Sequence, residues 1–199
     1  MPIYGHFPPE DVRVRLFLDP RFDPGVAGLS HARHVLRSWL GQPGGSTLVL
    51  PDDPELVYRD AFLVEAGEWS QLFEDGQCDV TFTLFDPVAY GRERIEHTEA
   101  FEVGDTRETL PTLSLVADAG SSVVVACVAL GKSITIEHAF TGGEAVVIDC
   151  GAETVEVDGI DCSDEVTLGS DFFALKVGPC TLAFTGCSSF ETRFTERWL

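Results

Sequence analysis

From Leu110 onward the sequence is a succession of short runs in which apolar and polar residues alternate, separated by turn residues. The runs are PTLSLVA (111–117), SVVVACVAL (122–130), SITIEHA (133–139), AVVIDC (145–150), ETVEVDG (153–159), FFALKVG (172–178), CTLAFTG (180–186) and FETRFTERW (190–198). Alternation with period two, rich in Val, Ile, Thr and Phe, is the pattern of strands with one buried face. Turn signals fall at Ala119-Gly120, Gly131-Lys132, Gly142-Gly143, Asp158-Gly159 and Gly178-Pro179. Strands repeating every ~8–12 residues, with no helical window between them, predict an antiparallel sandwich and not βαβ units. Within it, VVID enters a tight connection at Cys150-Gly151 and TVEVDG returns antiparallel, with Asp158-Gly159 supplying the positive φ of a hairpin turn. DFF at 171–173 is expected to open the next strand, with Phe172 or Phe173 facing inward. The expected sandwich core includes Ile148, Val155, Phe172, Phe173, Leu175 and Phe184.

Ahead of this region stands CDVTFTLFDPVAY, Cys78 to Tyr90. Asp79, Thr81 and Thr83 alternate with Val80, Phe82 and Leu84, which predicts a strand. Asp86-Pro87 stops it, because proline has no N–H to donate and restricts the residue before it. Phe85, Asp86, Pro87 and Tyr90 therefore mark the expected domain junction, at the end of a first domain spanning 1–90. Residues 91–104 alternate loosely and are expected to cross into a second domain at 105–199. In the first domain Asp11–Leu18 reads as a strand, with Val12, Val14 and Leu16 on one face and Arg13 and Arg15 on the other. DPRFDPG (19–25) is a turn cluster. Leu29–Leu40 carries apolar residues at helical spacing, capped by Ser30 and ended by Gly41. Thr47–Leu50 and Leu56–Glu65 are further strands, the latter with Val57, Arg59, Ala61 and Leu63 opposite Tyr58, Asp60, Phe62 and Val64. The fold class is mainly β: one helix on a small antiparallel sheet, an α+β domain, followed by an antiparallel β-sandwich.

The 199 residues are 44% apolar, with 14 Phe, enough for real cores. A net charge of -20, from 33 acidic against 13 basic residues, predicts repulsion of nucleic acid and of anionic membrane surfaces. No basic start followed by an apolar run marks a signal peptide. No apolar stretch reaches the roughly 18–20 residues that span a bilayer. The six cysteines include no CxxC pair and read as free thiols.

The motifs that usually carry reactions are missing from the sequence: there is no GxSxG, HExxH, P-loop or GxGxxG. Gly131-Lys132-Ser133 imitates the end of a P-loop, but reads as a turn. The five histidines (His6, His31, His34, His97, His138) are scattered. Asp149, Asp158, Asp161, Asp164 and Glu165 gather around two turns, but match no EF-hand spacing and read as a solvated rim. The expectation is a protein that is not an enzyme, with no cofactor and no metal.

Several segments carry a family resemblance. Tyr58-Arg59 in VYRDAFLVE, then Phe85-Asp86-Pro87 and Tyr90, resemble a pair of strands in the distal tail proteins of long-tailed bacteriophages and prophages. The order of Val12–Leu18, Leu29–Leu40 and LVLPDDPELVY is similar to the family's first domain. LPTLSL, AVVIDC, TVEVDG, SDFFALKVG (170–178) and the closing ERWL, with Arg197-Trp198, resemble its second. The resemblance implies a belt-type, ring-forming first domain and a galectin-like β-sandwich after it. It implies a hexameric ring in the virion tail, assembled in the bacterial cytoplasm, joining the tail tube to baseplate or tail-tip proteins. Family members usually have more chain ahead of the first strand, so part of the belt sheet is expected to be missing, shortened or supplied by a neighbour. A ring needs heterologous contacts. Arg13, Arg15, Arg33, Val35, Arg37 and Trp39, where much of the positive charge collects, are the candidates for that surface. The alternative function is a non-catalytic carbohydrate-binding module that holds a host-surface glycan.

Overall fold

The computed structural model describes residues 8–18, 34, 38, 44–66, 70–72, 75–104 and 107–198. The chain divides into two compact units, Met1–Ala89 and Tyr90–Leu199.

In the first unit the strands are β1 (Glu10–Leu18), β2 (Ser46–Leu50), β3 (Asp53–Ala66), β4 (Ser70–Leu72) and β5 (Asp75–Leu84). Strand β5 lies between β1 and β3, with β2 added to β3 and β4 added to β5. β1 and β5 pair antiparallel without interruption, from Glu10 opposite Leu84 to Leu18 opposite Gly76. The two period-two patterns set this register. Val12, Val14 and Leu16 meet Phe82, Val80 and Cys78, while Asp11, Arg13 and Arg15 meet Thr83, Thr81 and Asp79 on the other face. A one-residue slip would turn every apolar side chain to solvent.

Strand β3 departs from the alternation expected of it. Asp60 adopts a φ of 53°, and pairing with β2 slips between Ser46 opposite Ala61 and Leu48 opposite Tyr58. The extra residue is a bulge, so the two faces of β3 exchange part-way along. Of the expected helix, His34 and Ser38 are helical. The rest of Leu29–Leu40, together with the 19–25 turn cluster, lies outside the described residues.

The second unit holds most of β6 (Ala89–Glu96), then β7 (Ala100–Val103), β8 (Thr112–Ala117), β9 (Val123–Cys127), β10 (Lys132–Ile136), β11 (Ala145–Asp149), β12 (Thr154–Val157), β13 (Ile160–Asp161), β14 (Gly178–Thr185) and β15 (Cys187–Trp198). Among the described residues they form two antiparallel sheets, in the orders β6-β15-β8-β11-β12-β13 and β10-β9-β14-β7. Residues 91–104 thus supply strand to both. The sheets make a β-sandwich around one core, in which alternate residues point inward: Leu113 and Leu115, Val123 and Val125, Ile134 and Ile136, Val146 and Ile148, Val155 and Val157, and Leu182. Each such side chain, fully buried, contributes about 1.5–3 kcal/mol.

The hairpin expected at Asp158-Gly159 forms, with φ of 50° and 77° at the two positions, and Val157 pairs with Ile160 across it. Two expectations fail. FFALKVG is not a strand: it is irregular, joined to the rest by a lone bridge between Thr109 and Leu175. Gly178-Pro179 is not a turn either, but the first pair of β14, opposite Val103 and Glu102. The reason lies in the preceding segment, which runs along the free edge of β10. Thr167 N–H donates to the Thr135 carbonyl (3.0 Å) and Asp171 N–H to the Ser133 carbonyl (2.9 Å). That edge is covered before Phe172 is reached, and β9 already occupies the other side of β10. Among the described residues, β10 has no edge left for FFALKVG.

Candidate functional site

The register of β1 against β5 builds a charged cluster in the first unit. Arg15 Nε and Nη2 donate to the two carboxylate oxygens of Asp79 at 2.7 and 3.2 Å, and Arg13 Nη2 donates to Oδ2 at 2.8 Å. Arg15, by its hydrogen bond, holds the Asp79 carboxyl below its ordinary range. The same bond raises the Arg15 guanidinium. Both arginine side chains stay open to solvent, at 71% and 59%, while Asp79 is 24% exposed. Phe17, two residues along the same face, is 73% exposed. β1 ends the sheet order among the described residues. This face can bind through charge and apolar contact, and it holds no reactive group.

The other residues singled out by the sequence fall in several places. Arg33, Val35, Arg37 and Trp39 lie outside the described residues. Phe85 is exposed and meets Phe62 edge-on, with centroids 5.2 Å apart. The Asp86 carboxylate accepts the Val88 N–H at 3.3 Å, and Pro87 is buried. Arg197 lies over the Tyr90 ring, 5.6 Å from its centroid. Ile148, Val155, Phe173 and Leu175 are buried, and Phe172 and Phe184 pack partly buried against them.

Three members of the acidic rim of the second unit hold main-chain N–H groups at turns and strand ends. Asp149 accepts the N–H groups of Gly151 and Ala152, Asp158 that of Ala145, and Asp161 the N–H and hydroxyl of Ser163. Those two Ser163 bonds lower the Asp161 carboxyl. Glu144 closes the Gly142-Gly143 turn, accepting from the Thr141 N–H and hydroxyl and the Gly142 N–H at 2.7, 2.6 and 2.8 Å. Its carboxyl is thereby lowered to about 2, led by the Thr141 hydroxyl.

One grouping had no signal in the sequence. His138 Nδ1 lies 2.6 Å from Glu165 Oε2, and the Cys162 sulfur completes a trio whose ligand atoms all fall within 4.8 Å of one another. Glu165 stood out only as part of the acidic rim, and His138 only as a scattered histidine. The contact between them spans 27 residues and depends on where the 3-10 turn Ser163–Glu165 settles. All six cysteines are free thiols. Burial pushes those of Cys150 and Cys180 up to about 12.

A family model described as the siphovirus-type tail component, C-terminal domain, matches residues 104–198. The second unit is a siphovirus-type tail-component domain. Its matched span opens directly after β7 and takes in every strand from β8 to β15. Over residues 104–198 the chain is thus similar to a structural component of phage tails. Beyond the domain, the fold of 96% of the chain is similar to the crystal structure of SPP1 Dit, covering 80% of that chain with a TM-score of 0.76 and 17% identity. SPP1 Dit is described as a paradigm of the hub adsorption apparatus in Gram-positive infecting phages. At that identity the likeness is one of fold. No curated protein matches the sequence significantly.

Proposed function

We propose that this tail protein is a ring-forming distal tail hub, hexameric, that joins the tail tube to baseplate or tail-tip proteins and is assembled in the bacterial cytoplasm. The carrying observation is that the likeness to a hub protein extends over 96% of the chain, well beyond the tail-component domain itself. The role is structural and not catalytic: the carboxylates of Glu144, Asp149, Asp158 and Asp161 are occupied in closing turns.

In this reading the first unit makes the ring contacts. A ring with a net charge of -20 on every subunit must bring cations to its interfaces. The exposed arginines of β1, next to the apolar Phe17, are the described residues best suited to meet a neighbour's carboxylates. Arg33, Val35, Arg37 and Trp39 remain candidates on the sequence alone. Carbohydrate binding needs an exposed aromatic platform, and every described aromatic residue of the second unit is at least partly buried.

Size-exclusion chromatography with light scattering at near-physiological salt tests the proposal. A discrete closed oligomer is expected, six copies by the family resemblance. A monomer that persists at high protein concentration, with no ring visible by negative-stain electron microscopy, overturns it.

A further inference from the structure

We propose that His138, Cys162 and Glu165 form a binding site for a zinc-class divalent transition-metal ion on the second unit. The three residues offer one nitrogen, one sulfur and one oxygen ligand atom, all within 4.8 Å of one another. Zinc binds these atom types at about 2.0–2.3 Å. A tetrahedral ion at those distances separates its ligands by about 3.3–3.8 Å, so modest rotamer changes close the site, with Glu165 drawing back from the 2.6 Å contact to His138. A thiolate and a carboxylate together balance the charge of the ion. The sulfur and nitrogen select against calcium and magnesium, which take oxygen.

The backbone under these residues is fixed, which is what separates a site from a chance meeting of surface groups. Glu137 N–H donates to the Glu165 carbonyl at 3.0 Å, tying the chain next to His138 to the turn that bears Glu165. Glu165 N–H donates to the Cys162 carbonyl at 3.0 Å, and Cys162 N–H to the Val155 carbonyl at 2.8 Å. Ile136 and Val166 form a bridge just inside the site. The Phe140 ring lies against the imidazole, with centroids 4.8 Å apart, and limits its swing. The side chains of His138 and Glu165 are 29% and 34% exposed, which admits an ion from solvent and leaves the fourth position to water. Of the acidic groups nearby, Asp161 is engaged by Ser163. A bound ion would pin the end of β10 to the 3-10 turn and favour the folded state by mass action.

The test uses the full chain stripped of metal, with Co²⁺ as the optical probe and Zn²⁺ as competitor. One equivalent of Co²⁺ is expected to give tetrahedral visible bands and a thiolate charge-transfer band, both erased by Zn²⁺ and retained in excess Ca²⁺. Cys162→Ser should lose the charge-transfer band, and His138→Gln should weaken binding at least tenfold. In the unaltered chain, Zn²⁺ should protect Cys162 from alkylation, as read by peptide mass spectrometry, which needs no variant to fold. The proposal is overturned by a missing thiolate band, by a band that survives in Cys162→Ser, by displacement with Ca²⁺, or by alkylation of Cys162 unchanged by Zn²⁺.

Discussion

Thr109 and Leu175 exchange both of their main-chain hydrogen bonds, the Thr109 N–H reaching the Leu175 carbonyl at 3.0 Å and the Leu175 N–H reaching back at 2.7 Å. The Thr109 hydroxyl also donates to the Thr195 carbonyl on β15 at 2.7 Å. One residue thus fastens an irregular segment to the six-stranded sheet, and Phe173 and Leu175 enter the core without belonging to a strand.

That anchoring makes Phe173 a core residue in energetic terms. Phe173→Ala should destabilise the second unit by about 3–5 kcal/mol in urea denaturation. Phe172→Ala, which removes a partly buried ring, should cost clearly less. Equal losses at the two positions would mean that the segment packs differently.

Two glycines with positive φ should behave unequally. Gly159, at 77°, has open space where a Cβ would go, so Gly159→Ala should cost only the left-handed backbone penalty, about 1–2 kcal/mol. Gly186, at 81°, would place a Cβ 2.6 Å from the Ser122 carbonyl oxygen, so backbone must also move. Gly186→Ala should be the more damaging of the two by thermal melting.

Glu144 should give the second unit an acid-sensitive component. Its carboxyl is lowered from 4.5 to about 2 by the bonds it accepts, so its folded-state value lies below the unfolded one. The contribution is complete above the unfolded value and is lost as pH falls from about 4.5 towards about 2. Melting curves of the parent and Glu144→Ala should differ at neutral pH and converge at the acid end.

Arg15 separates association from folding. Exposed ion pairs add little to stability, and Arg13 would still hold Asp79 in Arg15→Ala. The melting temperature should therefore barely change. If β1 lies at the ring contact, the variant's oligomer should dissociate at lower salt than the parent's in light scattering.

The thiols should react in the order of their exposure. Cys78, Cys127, Cys150 and Cys180 are buried, whereas Cys162 and Cys187 are partly open. In metal-free native protein at mildly alkaline pH, alkylation should find the latter two first, and urea should release all six.

The sequence was most legible where local pattern and pairing agree. Alternation in Asp11–Leu18 and Cys78–Phe85 predicted both strands, and their complementary polar faces account for the register that joins Arg15 to Asp79. Asp158-Gly159 announced its hairpin because few residue pairs accept two positive φ values. FFALKVG misled because its alternation is that of a strand, while strand formation also requires a free neighbouring edge, which no local pattern reports. The bulge at Asp60 was hidden for a related reason: an aspartate with φ of 53° leaves no mark in a hydrophobicity pattern. His138 and Glu165 meet only because the chain after β13 folds back along β10. Such a contact follows from tertiary arrangement, and the spacing of residues in the chain does not encode it.

Strand β15, Cys187–Trp198, lies between β6 and β8 in the interior of its sheet. During translation β6 and β8 leave the ribosome with the slot between them vacant, and it stays vacant until residue 198 clears the exit tunnel. The tail-component domain must therefore close after its own synthesis, and a chain cut short before Cys187 would leave two unsatisfied strand edges facing each other.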